Sequence, residues 1–309
     1  MEIFHYAGNV AAQVGIMLLL ILAGFLAAKC KWIGEDGVQQ MINLLFYIVT
    51  PMVIIDSFLS VEYSSARLYS LLLMAGCAAL VHLIGAVVSL LAYRREPQEK
   101  RAVLRCIVIF SNCGFMSLPL ALALFGETGV FYVSIYVVVH NIIIWTAGIR
   151  LFDKGAVSVR KALINPGTVG VAIGLPLFLS GLALPKIMTQ AVASLASLNT
   201  PLAMIVMGYY LSRTALRIIP GDGKRLCCML LRLIVVPAIA LATLWALPLP
   251  QEVFLSCMLP ACAPAASNGM MFASKFGGDV DSASRMVSVS TVLSIFTIPV
   301  FMTVARLLA

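Results

Sequence analysis

Residues 111–126 read Ser-Asn-Cys-Gly-Phe-Met-Ser-Leu-Pro-Leu-Ala-Leu-Ala-Leu-Phe-Gly. They lie in an apolar, uncharged run from Cys106 to Gly126 that is long enough to cross a bilayer. Asn112, Gly114 and Pro119 occupy its middle, where a plain membrane helix would carry leucine. Pro119 lacks a donor N–H and clashes with the carbonyl four residues back, so the helix is expected to break between Asn112 and Pro119. Backbone groups freed in hydrocarbon cost several kcal/mol each. Broken helices survive there only where protein or water satisfies them, so the break predicts one wall of a polar site at mid-membrane depth.

A second interruption lies in the other half of the chain. Residues 257–277 form another charge-poor run, broken by Pro260 and Pro264. Ser267-Asn268 is followed at once by glycine, where Ser111-Asn112 is followed by Cys113-Gly114, and Phe276-Gly277 echoes Phe125-Gly126. Two interrupted spans in corresponding positions point to a transporter binding site.

Composition agrees with a membrane-embedded chain. Of 309 residues, 61% are hydrophobic and 11% charged, against about 25% charged in ordinary soluble domains. The net charge of +8 comes from basic residues spread over short loops, which does not suggest nucleic-acid binding. Eight cysteines show no paired spacing, and most read as small apolar fillers of the spans. The N-terminal Met-Glu-Ile-Phe-His-Tyr has no basic segment, and the first span is expected to be retained.

Ten spans are predicted, at about 10–28, 38–59, 68–93, 102–126, 128–149, 166–184, 187–212, 226–247, 253–274 and 286–308, each near the roughly 20 residues a bilayer requires. With the N-terminus outside, Arg94, Arg95, Lys100, Arg101, Arg105, Arg150, Lys154, Arg160, Lys161, Arg213, Arg217, Lys224 and Arg225 all fall in cytoplasmic loops. That bias favours an inner (plasma) membrane protein with both termini external. Thr50-Pro51 recurs as Thr200-Pro201, and Gly24 as Gly174, both at an offset of 150 residues. Five spans per half is odd, so the second half enters upside down. The fold class predicted is an all-α membrane protein: ten helices as an inverted 5+5 repeat, with broken helices 4 and 9 crossing. Residues 1–149 form the first repeat, 150–165 a cytoplasmic linker and 166–309 the second repeat.

Asn112 and Asn268 are the leading candidates for chemistry. A carboxamide offers two donors and an acceptor, enough to bind a carboxylate or to coordinate a cation; the competing reading is a cap on the freed backbone. Gly114, Pro260 and Ser267 belong to the same two breaks. Pro119 and Pro264 fit the first turn of each second half-helix, whose positive end would face an anion. His140-Asn141 sits at the centre of span 5, where polar groups face the bundle interior. Asn141 reads as a ligand contact, and His140 as an interhelical hydrogen bond or a proton relay. His82, in span 3, reads as an interior hydrogen-bonding group. Asp56, near the outer end of span 2, is either a coupling carboxylate or an interface residue. Asn43, Thr50, Asn199 and Thr200, on the matched proline-containing spans, either line the site or bond the local backbone. Arg232, inside span 8, reads as a snorkelling side chain, and Lys275 as a cytoplasmic anchor. No metal set, phosphate loop or nucleophile–base motif is visible, so no enzyme, metal or cofactor is expected.

Ser111-Asn112-Cys113-Gly114, Leu118-Pro119-Leu120 and Phe125-Gly126, followed by Tyr136, Asn141, Trp145-Thr146 and Gly148, resemble the auxin efflux carrier family. Asn165-Pro166 and Pro260, Pro264 and Ser267-Asn268 fit the same pattern. The resemblance spans the whole chain. It implies a fold like that of the bile acid:sodium symporters, with a scaffold of spans 1, 2, 6 and 7 and a moving domain of spans 3–5 and 8–10. It also implies an elevator-like secondary transporter of organic anions such as auxin, malate or malonate, with Asn112, Asn141 and Asn268 touching substrate. The short linker matches compact bacterial-type members. The expected partners are a small mono- or dicarboxylate, the bilayer and, in one arrangement, a second copy as a homodimer. A sodium-coupled symporter of a bile-acid-like solute is the alternative, and the coupling ion is open between sodium and a proton.

Overall fold

A computed structural model of the chain describes residues 2–152, 164–182, 184–213, 223–276 and 278–309. The linker expected at 150–165 falls largely outside them, as does Gly277. The described residues are helical nearly throughout: α1 (Glu2–Lys29), α2 (Glu35–Ser60), α3 (Ser65–Ala92), α4 (Gln98–Ile109), α5 (Cys113–Leu151), α6 (Pro166–Ser180), α7 (Lys186–Arg213), α8 (Gly223–Trp245), α9 (Gln251–Cys262), α10 (Asn268–Phe276) and α11 (Val280–Leu308). Six of them, α2, α3, α5, α7, α8 and α11, are long and apolar enough to cross a membrane, and Gly15–Lys29 and Pro166–Ser180 are shorter apolar stretches.

Local chemistry sets several of the boundaries. Ser64 caps α3 by accepting the Arg67 N–H at 3.2 Å, and Asn165 caps α6 by accepting from Thr168 at 3.1 Å. Gly181 closes α6 in the left-handed conformation that favours glycine, with φ 62°. Gly126, at φ 64° and ψ −156°, interrupts α5 and divides it into two differently directed arms. Wider turns at Leu45–Val49, Cys113–Ser117 and Leu231–Val235 precede Thr50-Pro51, Leu118-Pro119 and Val236-Pro237. Each proline stands in the first turn of the helix that follows, where its missing N–H removes little.

Leu19, Leu72, Leu83, Leu91, Phe296 and Val300 are exposed, as expected of surfaces covered by lipid rather than water. Inside, Phe58, Phe131 and Phe178 stack edge-on between α2, α5 and α6, with centroids 4.7 to 6.0 Å apart. The most extensive helix contacts join α1 to the second half of α7 and the second half of α2 to α6. Glycine makes both possible. A Cβ on Gly24 would collide with Ile205, whose Cα lies 2.7 Å away, and one on Gly208 would meet Phe25 N at 2.6 Å. A Cβ on Gly174 would stand 3.0 Å from the Phe58 ring.

Both predicted breaks are present, and the first is shorter than expected. Helix α4 ends at Ile109, and the chain re-enters helix at Cys113 rather than after Pro119. The physical reason is Asn112, whose side chain accepts the Phe115 N–H at 3.3 Å and restarts the coil. Pro264 also departs from expectation. It lies in the extended link between Cys262 and Asn268, four residues before α10 begins, because its carbonyl is used by the opposite break.

Two outcomes test these contacts. Gly208→Ala is expected to cost about 1–3 kcal/mol through forced separation of α1 and α7, read as a lower melting temperature in detergent. Asp279 caps α11, accepting from Ser282 N at 3.0 Å and from the Ser282 hydroxyl, with Arg225 3.9 Å away. Burial raises its carboxyl, but these hydrogen bonds, Arg225 and Lys100 outweigh burial and hold it below the usual 3.8. Its contribution is therefore present above that value and lost as pH falls through the lower folded one. Asp279→Ala is expected to destabilise by about 1 kcal/mol, whereas Asp279→Asn keeps a cap and loses this acid dependence, as seen in melts at neutral and acid pH.

Candidate functional site

The two breaks meet. Ser111 and Ala265 form an isolated antiparallel bridge. The Asn112 N–H donates to the Pro264 carbonyl at 2.8 Å, and the Ala266 N–H to the Phe110 carbonyl at 3.0 Å. Two further freed groups find partners, one a side chain and one the backbone. The Ala265 N–H donates to Ser290 Oγ on α11 at 3.2 Å, and the Asn112 carbonyl accepts from Met116 N at 3.3 Å. The crossing is thus a two-residue scrap of β-structure inside a helical bundle, which is how extended chain becomes tolerable there.

The carbonyl ends of α4 and α9 are held by one side chain. Arg232, 1% exposed, sits in the wide turn of α8. Its Nε donates to Ala263 O at 3.0 Å, Nη2 to Ala261 O at 2.6 Å, to Ala263 O at 2.9 Å and to Pro260 O at 3.4 Å, and Nη1 to Val108 O at 3.2 Å. No carboxylate among the described residues forms an ion pair with it. The negative ends of two half-helices are therefore capped by a full positive charge. The positive ends, at Cys113 and Asn268, carry no such partner among the described residues. Read from sequence as a snorkelling side chain, Arg232 instead points inward to the crossing. The available signal was its position as a lone charge in an otherwise apolar span.

The other candidates separate into two groups. Asn112 is buried, and its amide nitrogen meets only Met207 Sδ, at 4.0 Å, a weak acceptor. Gly114 beside it borders open space, since a Cβ there would meet nothing within 4 Å. Ser267 and Asn268 are half-buried on the opposite strand, and Gly269 backs onto Cys106 at 3.4 Å. Asn199 is buried with Oδ1 unpartnered among the described residues, as is Ser117 Oγ. Pro260 lies within α9, two residues before its end, and lends its carbonyl to Arg232. Thr200 follows Asn199 at the start of the second half of α7.

Others are engaged away from the crossing. Asn141 donates from Nδ2 to Asn165 Oδ1 at 3.1 Å, joining α5 to the cap of α6. Thr50 donates to Leu45 O at 2.8 Å and Asn43 accepts from Gln39 at 3.3 Å, both local bonds. Asp56 lies within electrostatic reach of Glu127, beyond the Gly126 kink. His82 and His140 bond one another across α3 and α5, Nε2 to Nδ1, at 3.1 Å. Asn165, Ser290 and Phe110 were not anticipated as parts of this assembly, because each acts through partners far away in sequence.

Known proteins resemble the chain along its length. A family model described as "Membrane transport protein" matches twice, over residues 10–158 and 154–302. An uncharacterized transporter of Methanothermobacter thermautotrophicus is 24% identical over 290 residues, covering 92% of this chain and 95% of that protein. One from Methanocaldococcus jannaschii is 27% identical over 240 residues, covering 73% and 76%. The chain is a multi-pass membrane protein of the membrane transport protein family, the auxin efflux carrier-like group that its broken spans resembled.

Proposed function

We propose that this protein is a secondary active carrier of small organic anions, mono- or dicarboxylates, working by elevator-type alternating access around the crossed breaks. The observation that carries the anion is Arg232. Its charge occupies the carbonyls that a bound sodium ion would need, since unwound carbonyls and half-helix C-termini are where such carriers hold cations. What remains for a ligand is the opposite set: two half-helix N-termini, the uncommitted Asn112 amide, Asn268 and the open space beside Gly114. Donors and positive dipole ends, with no acidic residue in the first turn of either half-helix, suit an anion. The same argument weighs against a sodium-coupled bile-acid-like carrier.

Packing supports the division of labour. Close glycine contacts bind Gly24 and Gly208 between α1 and α7, and bind Gly170 and Gly174 to Pro51, Ile54 and Phe58 of α2. The partners exchange under the 150-residue offset, in that Gly24 packs beside Gly208 while Gly174 packs on Phe58. That is the relation an inverted 5+5 repeat of ten spans requires. On this reading α1, α2, α6 and α7 form the scaffold, and the crossing moves with α3–α5 and α8–α11. The bias of basic residues to one set of loops supports a cytoplasmic side there, with both termini external.

Uptake into proteoliposomes of labelled mono- and dicarboxylates, beside amines and zwitterions, tests the function. Carboxylates are expected to be taken up, and preference for cations would overturn the assignment. Asn112→Ala is expected to lower uptake by about tenfold to a hundredfold, the worth of a hydrogen bond or two to a charged group, and to lower the melting temperature by the loss of the cap on Phe115, worth about 1 kcal/mol. Asn112→Asp, which keeps the cap but removes the amide donors, is expected to lose uptake as well. Arg232→Gln is expected to lose uptake. Arg232→Lys, which keeps the charge but not the fork of donors, is expected to retain part of it at a lower melting temperature.

A further inference from the structure

The two buried histidines form one unit whose hydrogens can be placed by elimination. His82 Nδ1 lies 2.7 Å from the Ala78 carbonyl, which only accepts, so Nδ1 carries hydrogen. In the neutral ring Nε2 is then an acceptor. It lies 3.1 Å from His140 Nδ1, which must therefore be the donor. That leaves His140 Nε2 as the one lone pair of the pair that neither ring uses. A proton added there makes His140 an imidazolium whose Nδ1–H still donates to His82 Nε2, now as a shorter, charge-assisted bond. A second proton would have to go on His82 Nε2 and break that bond. The pair is built to hold a single proton.

Its surroundings connect that proton to the crossing. Phe110 packs against both imidazoles, with centroids 5.8 Å from His82 and 5.5 Å from His140, and its carbonyl holds the Ala266 N–H in the bridge. The titratable neighbour on α5 is Tyr136, 5.2 Å from His82. The charged group that bears on both rings is Arg232 of α8. No carboxylate among the described residues pairs with either ring. A lone proton therefore meets an uncompensated positive charge, whereas a carboxylate at the crossing offsets it. Proton and anion then bind more strongly together than apart, and each raises the affinity for the other by the same factor.

We propose that the His82–His140 pair is the coupling-proton site, taking one proton from the aqueous side onto His140 Nε2 with each bound anion and releasing it on the other side. This rests on the anion-carrier reading. Both rings lie on α3 and α5, in the part proposed to move, so the proton travels with its anion.

The experiment has two arms. In the first, an acid-outside gradient across proteoliposomes is expected to accumulate a labelled monocarboxylate about tenfold per pH unit. His82→Gln and His140→Gln, which keep polar side chains but hold no proton, are expected to lose accumulation while still exchanging labelled for unlabelled substrate. Accumulation that follows the gradient equally in both variants overturns the proposal. In the second arm, ring-15N histidine spectra are recorded on purified wild type between about pH 8 and pH 5, with and without carboxylate. The three histidines are assigned by the single variants. Joint movement of the His82 and His140 signals, at lower acidity when carboxylate is present, supports the site. Both rings staying neutral throughout overturns it, whatever is transported. Absence of any carboxylate uptake by wild type removes the anion reading alone, because the spectra then decide the proton site independently.

Discussion

One guanidinium holds the crossing together. Breaking two helices inside hydrocarbon frees carbonyls at the ends of α4 and α9, and each left bare costs several kcal/mol. The short β-bridge satisfies the Phe110 and Pro264 carbonyls and no more. Arg232 takes four more, reaching Val108 on one half-helix and Pro260, Ala261 and Ala263 at the end of the other. Burying a charge is expensive, but hydrogen bonds to charged groups are worth about 1.5–3 kcal/mol each, and five of them offset much of that. Lysine has three donors on one atom and cannot span both helix ends. Arginine's planar fork is what lets a single residue bind two half-helices from different ends of the chain.

That solution has an electrostatic consequence. An unbroken helix has balanced ends, but here the negative ends are capped by a cation while the half-helices that start at Cys113 and Asn268 carry no acidic residue in their first turn. The crossing is left with a surplus of positive potential in a region of low dielectric, where screening is weak. On the anion-carrier reading, a structural need, satisfying carbonyls, also sets the sign of the ligand. On the proposed coupling, the same potential disfavours an unaccompanied proton on the nearby imidazoles, and the affinities for proton and anion are tied through one fixed charge rather than through a moving part.

Much of this was legible from the residues, and the gaps have a common cause. Pro119, Pro260 and Pro264 in charge-poor spans announce breaks because the local cost of proline needs no knowledge of the fold. The matched Thr-Pro pairs announce a repeat for the same reason. Where partners are distant, the reading fails. Arg232 lies 124 residues from Val108, and nothing local distinguishes a snorkelling arginine from one that caps two helices. Nothing local announces that Asn141 bonds Asn165 across the gap between α5 and α6. His82 and His140 are separated by 58 residues, so the sequence offers two isolated histidines where the fold makes one pair. Pro264 fits a helix start by local rules, but the opposing strand needs its carbonyl, and tertiary bonding overrides the local preference.

The contacts also bear on what can move. Backbone-to-backbone packing at Gly24 and Gly208 leaves no room to slide, because any shift drives Cα atoms into carbonyls. The crossing, by contrast, is tied internally by Arg232 and Ser290, both of which come from the same group of helices as the breaks. Between the two groups the site-side links are softer: Asn112 to the flexible Met207 thioether at 4.0 Å, and the amide pair Asn141–Asn165. A thioether contact of that length is weak and tolerant of direction, and an exchangeable amide bond can be replaced by water at little net cost. On the site side, rigid contacts within each group and replaceable ones between them suit the proposed sliding carrier, and the Phe58–Phe131 contact between α2 and α5 is the packing such a slide would have to break. The crossing could then travel as a unit without its freed carbonyls ever losing their partner.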